Sequence, residues 1–210
     1  MGFPPELAVA TKNEGKVLEI LQICGDWPVR WVLAPEVGGS PRGYRTATWP
    51  DVEETGQGYL ENALLKARAV EAALGIPAVA DDSGIEVDAL GGEPGPRSAR
   101  FAGPNATDED NLRLLIERIR AIPEHRRTGR YRCVAVCTVP GGGDLRAEGV
   151  CEGRLITEPR GSGGFGYDPV FLPAARPGRT MAELPPEEKE AISHRGIALR
   201  SLGELLRTDP

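Results

Sequence analysis

Two adjacent carboxylates at the end of an apolar run carry the strongest chemical signal in this sequence. The run reads Ala78-Val79-Ala80-Asp81-Asp82-Ser83-Gly84 and follows Pro77, which is typical of the first position of a strand. We predict a buried strand that ends at the Asp pair and a turn at Ser83-Gly84. In open α/β sheets, ligands bind at such an edge. Aspartates that only form hydrogen bonds within the turn are the alternative.

The two carboxylates are expected to have different roles. Successive side chains of a strand point to opposite faces, so Asp81 and Asp82 cannot both point at one ligand. We expect one of them to be a site carboxylate and the other to accept hydrogen bonds within the scaffold. A site carboxylate can bind a cation or take a proton from water.

A polar loop at residues 11–16 joins a short apolar strand to a helix. A helix N-terminus offers backbone N–H groups to an anion, and Lys12 and Lys16 add positive charge. The loop is not a Walker loop, because Ala10 stands in place of its first glycine and Val17 in place of its Ser or Thr. The alternative is an ordinary helix cap with surface lysines.

Acidic residues precede a second predicted helix, at residues 59–74. Glu53 and Glu54 lie just before it, and Glu54 offers a second carboxylate. On the helix, Asn62 and Lys66 are four residues apart and therefore share a face. Solvated surface charge is the alternative explanation for the two glutamates.

A glycine-rich stretch at residues 161–169 contains Phe165, Tyr167 and Asp168. Its glycines let the backbone approach a ligand closely, and its aromatic rings can stack on a planar base. A flexible surface loop is the alternative. Three further polar side chains lie near the last predicted helix. Lys189 precedes it, and His194 and Arg195 stand at its start.

The composition is that of an ordinary globular protein. The chain has 210 residues, of which 40% are hydrophobic and 27% charged, and this length suffices for a full core. We predict a single domain over residues 1–210. The net charge of −6 argues against a nucleic-acid polymer as the main partner, since binding its phosphates needs a basic surface.

The cysteines and the N-terminus indicate a cytoplasmic protein. Cys24, Cys133, Cys137 and Cys151 show neither a CxxC pair nor zinc-ligand spacing, so we expect buried free thiols. The N-terminus lacks the pattern of a secretory signal. No apolar run approaches the ~20 residues of a membrane span, so we expect no membrane contact.

The element pattern predicts an α/β fold with a mixed β-sheet flanked by helices. Two long alternating runs, at residues 131–139 and 145–156, are joined by Pro140-Gly141-Gly142-Gly143 and predict an antiparallel hairpin. Thr107 and Asp110 form a predicted capping pair at the start of another helix. One domain with two lobes around a central cleft fits this pattern, and the polar stretches described above predict that this cleft binds a ligand.

Together these stretches describe metal-assisted hydrolysis of a nucleoside polyphosphate. Two carboxylates, Glu54 and Asp82, can hold one Mg²⁺, which usually keeps several waters and also binds substrate phosphates. The metal lowers the pKa of a bound water, and a neighbouring carboxylate takes its proton. Lysines stabilise the charge on the phosphate chain.

The same stretches resemble the inosine triphosphate pyrophosphatase family, the Ham1/RdgB-type noncanonical purine NTP pyrophosphatases. The matching segments keep the family's order over nearly the whole chain. They are Ala10-Thr11-Lys12-Asn13-Glu14-Gly15-Lys16, Glu53-Glu54-Thr55-Gly56, Glu61-Asn62-Ala63-Leu64-Leu65-Lys66-Ala67, Ala80-Asp81-Asp82-Ser83-Gly84, Ser98-Ala99-Arg100, Gly163-Gly164-Phe165-Gly166-Tyr167-Asp168-Pro169, and Lys189 with Ser193-His194-Arg195-Gly196. Gly58 departs from the family's usual Thr but removes no proposed ligand.

The resemblance implies an elongated central sheet, two lobes and a homodimer. It implies Mg²⁺-dependent hydrolysis of ITP, dITP and XTP to the monophosphate and pyrophosphate, which removes them from the nucleotide pool. By position, Glu54 and Asp82 would hold Mg²⁺, and Asp82 would also be the general base. The substrate would be bound by Thr11, Lys12, Asn13, Glu14, Gly15, Lys16, Ser83, Phe165, Gly166, Tyr167, Asp168, Lys189, His194 and Arg195, although Lys12 stands at a variable position.

Selectivity for these purines is expected to depend on their 6-oxo group. This group accepts a hydrogen bond, whereas the amino group at position 6 of adenine donates one. We expect donors from the backbone N–H groups of residues 164–168 and from Arg195. A wrong base would leave buried polar groups unpaired, at about 1–3 kcal/mol each. Two alternatives stay open: a Maf-like nucleotide pyrophosphatase, and a nucleotide sensor without turnover.

Overall fold

The computed structural model of the protein describes residues 2–37 and 44–208. Over these residues seven strands form one sheet: β1 (Glu6–Val9), β2 (Arg30–Leu33), β3 (Arg45–Thr46), β4 (Ala78–Val87), β5 (Thr128–Thr138), β6 (Leu145–Leu155) and β7 (Phe171–Pro173). The same part of the chain forms five α-helices: α1 (Glu14–Ile23), α2 (Tyr59–Leu74), α3 (Asp108–Arg120), α4 (Pro186–Ile192) and α5 (His194–Thr208).

The sheet is mixed, as predicted, with strand order β3-β2-β1-β4-β5-β6-β7. β1 pairs in parallel with β2 and β4, β2 pairs in parallel with β3, and β6 pairs antiparallel with β7. β5 and β6 are neighbours in the sheet and consecutive in the chain, which agrees with the predicted hairpin. The connection between β2 and α2 contains the short β3, and its residues 38–43 lie outside the described part.

The chain divides into two compact units. The first consists of Met1–Asp82, Cys133–Glu148 and Arg195–Pro210, and the second of Ser83–Arg132 and Gly149–His194. Each unit buries its own apolar cluster, with Leu7, Ile20 and Leu199 in the first and Leu115, Phe171 and Met181 in the second. The single domain over residues 1–210 and the central cleft stay predictions.

β4 differs from its prediction, because it does not end in a turn at Ser83-Gly84. It continues without interruption to Val87. Gly84 instead permits a close approach: a Cβ there would overlap the carbonyl oxygen of Gly95 and lie 2.5 Å from Ser98 Oγ. Ser98 Oγ also accepts the N–H of Ile85 at 2.9 Å. The turn propensity of Ser-Gly therefore yields to packing against a distant segment.

The helices follow the sequence pattern closely. α2 spans the predicted residues and ends at Gly75, whose φ of +67° is the left-handed conformation typical of a helix end. α1 begins at Glu14, so the second half of the predicted polar loop is its first turn. Asn13 caps α1, because its Oδ1 accepts the N–H of Lys16 at 2.9 Å. Thr107 and Asp110 form the predicted capping box of α3.

All four cysteines are buried and free, as predicted, and burial raises the pKa of the Cys151 thiol to about 11. Of the helices in the described residues, none is both long and apolar enough to cross a membrane.

Candidate active site

The two acidic residues of β4 have different partners, as the alternation of strand side chains predicts. Asp81 is fully buried, and its Oδ2 accepts hydrogen bonds from Nη2 and Nε of Arg195 at 3.1 and 3.3 Å. Lys16 Nζ lies 3.2 Å from the same oxygen. Asp82 contacts Asn62 and Lys66 of α2 instead. Asp81 is thus the scaffold acceptor, and Asp82 is the candidate site carboxylate.

Arg195 is enclosed by carboxylates. It is only 2% exposed, and its Nη1 contacts Glu19 of α1 while its other nitrogens contact Asp81. Burial alone would raise the pKa of Asp81, but the charges of Arg195 and Lys16 hold that pKa well below its usual range. Burial alone would lower the pKa of Arg195, but Asp81 and Glu19 raise it. The Arg195 guanidinium thus neutralises Asp81 and Glu19. The predicted contact of Arg195 with substrate stays a prediction.

Lys66 joins Asp82 to the predicted second carboxylate. Its Nζ lies 2.7 Å from Glu54 Oε1 and 3.4 Å from Asp82 Oδ1. On the same face of α2, Asn62 Nδ2 donates to Asp82 Oδ2 at 3.2 Å. Sequence reasoning assigned no role to Asn62 or Lys66. Their four-residue spacing on a helix that follows the acidic cluster was the signal that could have found them.

The protonation behaviour of Asp82 differs from that of an exposed aspartate. Burial raises its pKa, Glu54 adds to the rise, and Lys66 and Lys16 oppose it. Burial lowers the pKa of Lys66, but Asp82, Asp81 and Glu54 more than offset this and raise it above its usual value. Lys66 is therefore an ammonium, and Asp82 is a better proton acceptor than an ordinary carboxylate.

Glu54 and Asp82 fit a small oxygen-binding cation. In the described ranges, no group of three or more His, Cys, Asp or Glu side chains is placed to hold a metal ion. Mg²⁺ does not require one, because it is usually bound by one or two carboxylates and completes its shell with water and phosphate oxygens. The two carboxylates already share one positive charge, the Lys66 ammonium. The two carboxylates therefore suit a Mg²⁺ ion whose other ligands are water and phosphate oxygens.

The other residues of the polar loop at residues 11–16 lie in the first unit, as Asp82 and Glu54 do. Thr11 and Lys12 line a cavity of about 200 Å³ together with Glu54 and Lys66. Lys12 Nζ also pairs with Asp51 Oδ1 at 2.7 Å. Asn13 caps α1, and the other loop residues form the first helical turn: Glu14, Gly15 and Lys16.

A second cluster, in the second unit, is centred on Asp168. Its Oδ2 accepts from Lys189 Nζ at 2.6 Å and from the N–H of Phe165 at 3.1 Å, and its Oδ1 accepts from Tyr131 Oη at 3.2 Å. Lys189 Nζ lies 5.2 Å from the centre of the Phe165 ring, within cation–π range. The His194 ring stacks on Tyr131 with centroids 4.6 Å apart. The structure brings these predicted residues together and adds Tyr131, which the sequence did not indicate.

Tyr167 lies in the interior of the second unit, and its predicted stacking on a base stays a prediction. Its ring is only 6% exposed and packs in the apolar cluster of the second unit. Its hydroxyl donates to the carbonyl oxygen of Ser98 at 2.7 Å, and burial raises its pKa. Tyr167 is therefore an anchor of the loop, whereas Phe165 remains partly exposed. Ser83, next to Asp82 on β4, is also partly exposed.

The donors expected to recognise a 6-oxo group are largely engaged with the protein. Phe165 N–H donates to Asp168, and Gly166 N–H donates to Asp108 Oδ2 at 3.1 Å. Asp168 N–H donates to the carbonyl oxygen of Phe165 at 3.3 Å. These amides and the Arg195 guanidinium have acceptors within the chain. Their predicted contact with a 6-oxo group stays a prediction.

Substitution of Gly164 tests the Asp168 cluster. Gly164 has φ of +71°, and a Cβ there would overlap Asp168 Oδ2 and lie 2.9 Å from Lys189 Nζ. Gly166 has φ of +60° but an open Cβ position, so Gly166→Ala shares the backbone strain without the overlap. We expect kcat/KM for nucleoside triphosphate hydrolysis to be at least about 10-fold lower in Gly164→Ala than in Gly166→Ala. Equal kinetic losses in the two variants would contradict this packing.

Comparison with known proteins places the chain in a family. Residues 7–205 match the family model of the Ham1 family. The chain belongs to the Ham1 family. A relative from Cutibacterium acnes named dITP/XTP pyrophosphatase is 45% identical over 199 residues, which cover 93% of each chain. A relative from Symbiobacterium thermophilum with the same name is 47% identical over 194 residues, covering 92% of this chain and 90% of its own.

A solved Ham1 structure supports the fold. The Ham1 protein from Coxiella burnetii matches with a TM-score of 0.80 and 38% identity, over 97% of this chain and 98% of that chain. The family resemblance and the α/β fold predicted from the sequence are thus confirmed for this Ham1 protein.

Proposed function

We propose that this Ham1 protein hydrolyses the noncanonical purine nucleoside triphosphates ITP, dITP and XTP to the monophosphate and pyrophosphate, and so removes them from the nucleotide pool. Similarity to relatives named dITP/XTP pyrophosphatase, over nine tenths or more of both chains, supports this activity. The structural observation that carries the proposal is the cluster of Asp82, Glu54 and Lys66 beside Lys16.

We propose Mg²⁺ as the cofactor, held by Glu54 and Asp82. When bound, it neutralises charge on the phosphate chain and acidifies the attacking water. Asp82 would take a proton from the attacking water onto its carboxylate. Asn62 orients Asp82 through Oδ2. Lys16 and Lys66 bind phosphate oxygens and stabilise the pyrophosphate as it leaves.

The Asp168 cluster is proposed to bind the purine base. The Phe165 ring offers a stacking surface, and base–aromatic stacking contributes about 1–3 kcal/mol. The Lys189 ammonium has three N–H donors, one of which points at Asp168. We propose that this ammonium lies close to the bound base, and that the 6-oxo group accepts from the backbone N–H groups of residues 164–168 and from Arg195, as the sequence predicts.

Substitution of Glu54 tests the cation site, with Glu53 as the matched control. Glu54→Gln keeps the side-chain shape but removes one anionic ligand, so we expect the Mg²⁺ concentration for half-maximal activity to rise at least about 10-fold. Glu53 is exposed, and Glu53→Gln should leave that concentration unchanged. The measurement is a Mg²⁺ titration of initial rates at saturating ITP. The same titration midpoint in both variants would remove Glu54 from the site.

The products of ITP hydrolysis test the proposed reaction. Incubation with ITP and Mg²⁺, followed by chromatography, should yield IMP and pyrophosphate in equal amounts. Formation of IDP and phosphate would contradict cleavage between the α- and β-phosphates. Tight ITP binding with no product would favour the nucleotide sensor.

We also propose a cytoplasmic homodimer, on the strength of the family resemblance. Light scattering on the purified chain should give twice the 22.5 kDa of one chain. A mass of one chain across the working concentration range would contradict the dimer.

A further inference from the structure

The glycine-rich loop at residues 161–167 is tied to the protein at several points. Gly163 N–H donates to the carbonyl oxygen of Ala182 at 3.0 Å. Gly166 N–H donates to Oδ2 of Asp108, which lies 3.1 Å away and 58 positions earlier in the chain. Glycine loses more conformational freedom on ordering than any other residue, so a loop of this composition depends on such bonds for a single conformation.

Asp108 is the first residue of α3, yet the start of the helix does not depend on its side chain. Thr107 Oγ1 accepts the N–H of Asp110 at 3.1 Å, and Asp110 Oδ2 accepts the N–H of Thr107 at 3.1 Å. The N–H of Asn111 donates to the carbonyl oxygen of Thr107. Since this capping box holds the first turn, the carboxylate of Asp108 can bind Gly166, and a carboxylate strengthens such a bond.

The position of Gly166 explains why this bond matters. Its N–H belongs to the peptide unit that follows Phe165, so the bond to Asp108 orients the backbone that carries the Phe165 ring. On one side, Phe165 N–H is held by Asp168, and on the other, the Tyr167 hydroxyl is held by Ser98. Asp108 fixes the segment between these two anchors.

We propose that Asp108 is a positioning residue for nucleotide binding, which holds the glycine-rich loop so that the Phe165 ring lies over the Lys189 ammonium. The inference rests on the proposed function, because it takes Phe165 and Lys189 to bind the base. Asp108 does not itself contact the substrate. Its loss should weaken nucleotide binding and leave the chemical step at Asp82 unchanged.

The test compares Asp108→Ala, Asp108→Asn and Glu109→Ala. Glu109 is an exposed acid in the same helical turn, so Glu109→Ala matches the loss of one negative charge near the helix N-terminus. Asp108→Asn keeps an oxygen that can accept the Gly166 N–H. For each variant, kcat and KM for ITP are measured with Mg²⁺, and amide hydrogen exchange is measured in the loop of the free protein.

We expect Asp108→Ala to raise KM about 3- to 10-fold with kcat within about two-fold of the parent, and to speed exchange at Gly166. Asp108→Asn should restore both values, and Glu109→Ala should match the parent. Equal KM and exchange in Asp108→Ala and Glu109→Ala would overturn the inference, as would an Asp108→Asn variant as impaired as Asp108→Ala. If the parent hydrolyses no ITP, the proposed function fails, and the exchange rates alone decide whether Asp108 holds the loop.

Discussion

Asp82→Asn is expected to lower the turnover of ITP by about 10³-fold, within the range that general-base catalysis supplies, while ITP binding stays within a few-fold. Asn has the same shape and keeps an oxygen for Asn62, but it cannot take a proton and brings no negative charge to the cation. The measurements are pyrophosphate release for turnover and titration calorimetry for binding.

The control for this variant is Asp26→Asn. The Asp26 side chain lies in the same unit but is 73% exposed, where it pairs with Arg207. Its substitution should leave turnover unchanged. Near-normal turnover in Asp82→Asn would remove Asp82 from the chemistry, and a matching loss in Asp26→Asn would point to an effect on folding.

Arg195→Met is expected to lower the free energy of unfolding by about 3–5 kcal/mol, because it leaves the buried Asp81 carboxylate without its main counter-charge. Met fills most of the space and removes only the guanidinium. Urea unfolding followed by tryptophan fluorescence measures the change. Arg207→Met, on the exposed face of the same helix, breaks a surface pair with Asp26 and should cost less than about 1 kcal/mol.

A double variant separates charge from packing at Asp81. Asp81→Asn in the Arg195→Met background removes the uncompensated charge, so we expect it to recover part of the lost stability. If Arg195→Met unfolds with a free energy within about 1 kcal/mol of the parent, the guanidinium is not the counter-charge of Asp81. In that case, its predicted role in binding the base would again be the better explanation.

Features set by local chemistry were predictable from the sequence. The bounds of α2 follow from its apolar stripe and from Gly75, and the start of α3 follows from Thr107 and Asp110. The split between Asp81 and Asp82 also follows from strand alternation. These signals lie within a few residues of one another, so periodicity and capping rules suffice to find them.

Features set by distant partners were not predictable. Which aspartate belongs to the scaffold depends on Arg195, 114 positions from Asp81. Tyr167 is buried because its hydroxyl reaches Ser98, 69 positions away. β4 passes through Ser83-Gly84 because Gly84 packs against Gly95. In each case, contacts between residues far apart in the sequence determine the structure, and local propensity alone allows more than one outcome.

The most direct test of the proposed activity is pyrophosphate release with Mg²⁺ from ITP, XTP, GTP, ATP and dTTP in parallel at equal concentration. We predict strong release from ITP and XTP and little from the other three. Release mainly from GTP or dTTP would contradict the proposal and favour the Maf-like alternative.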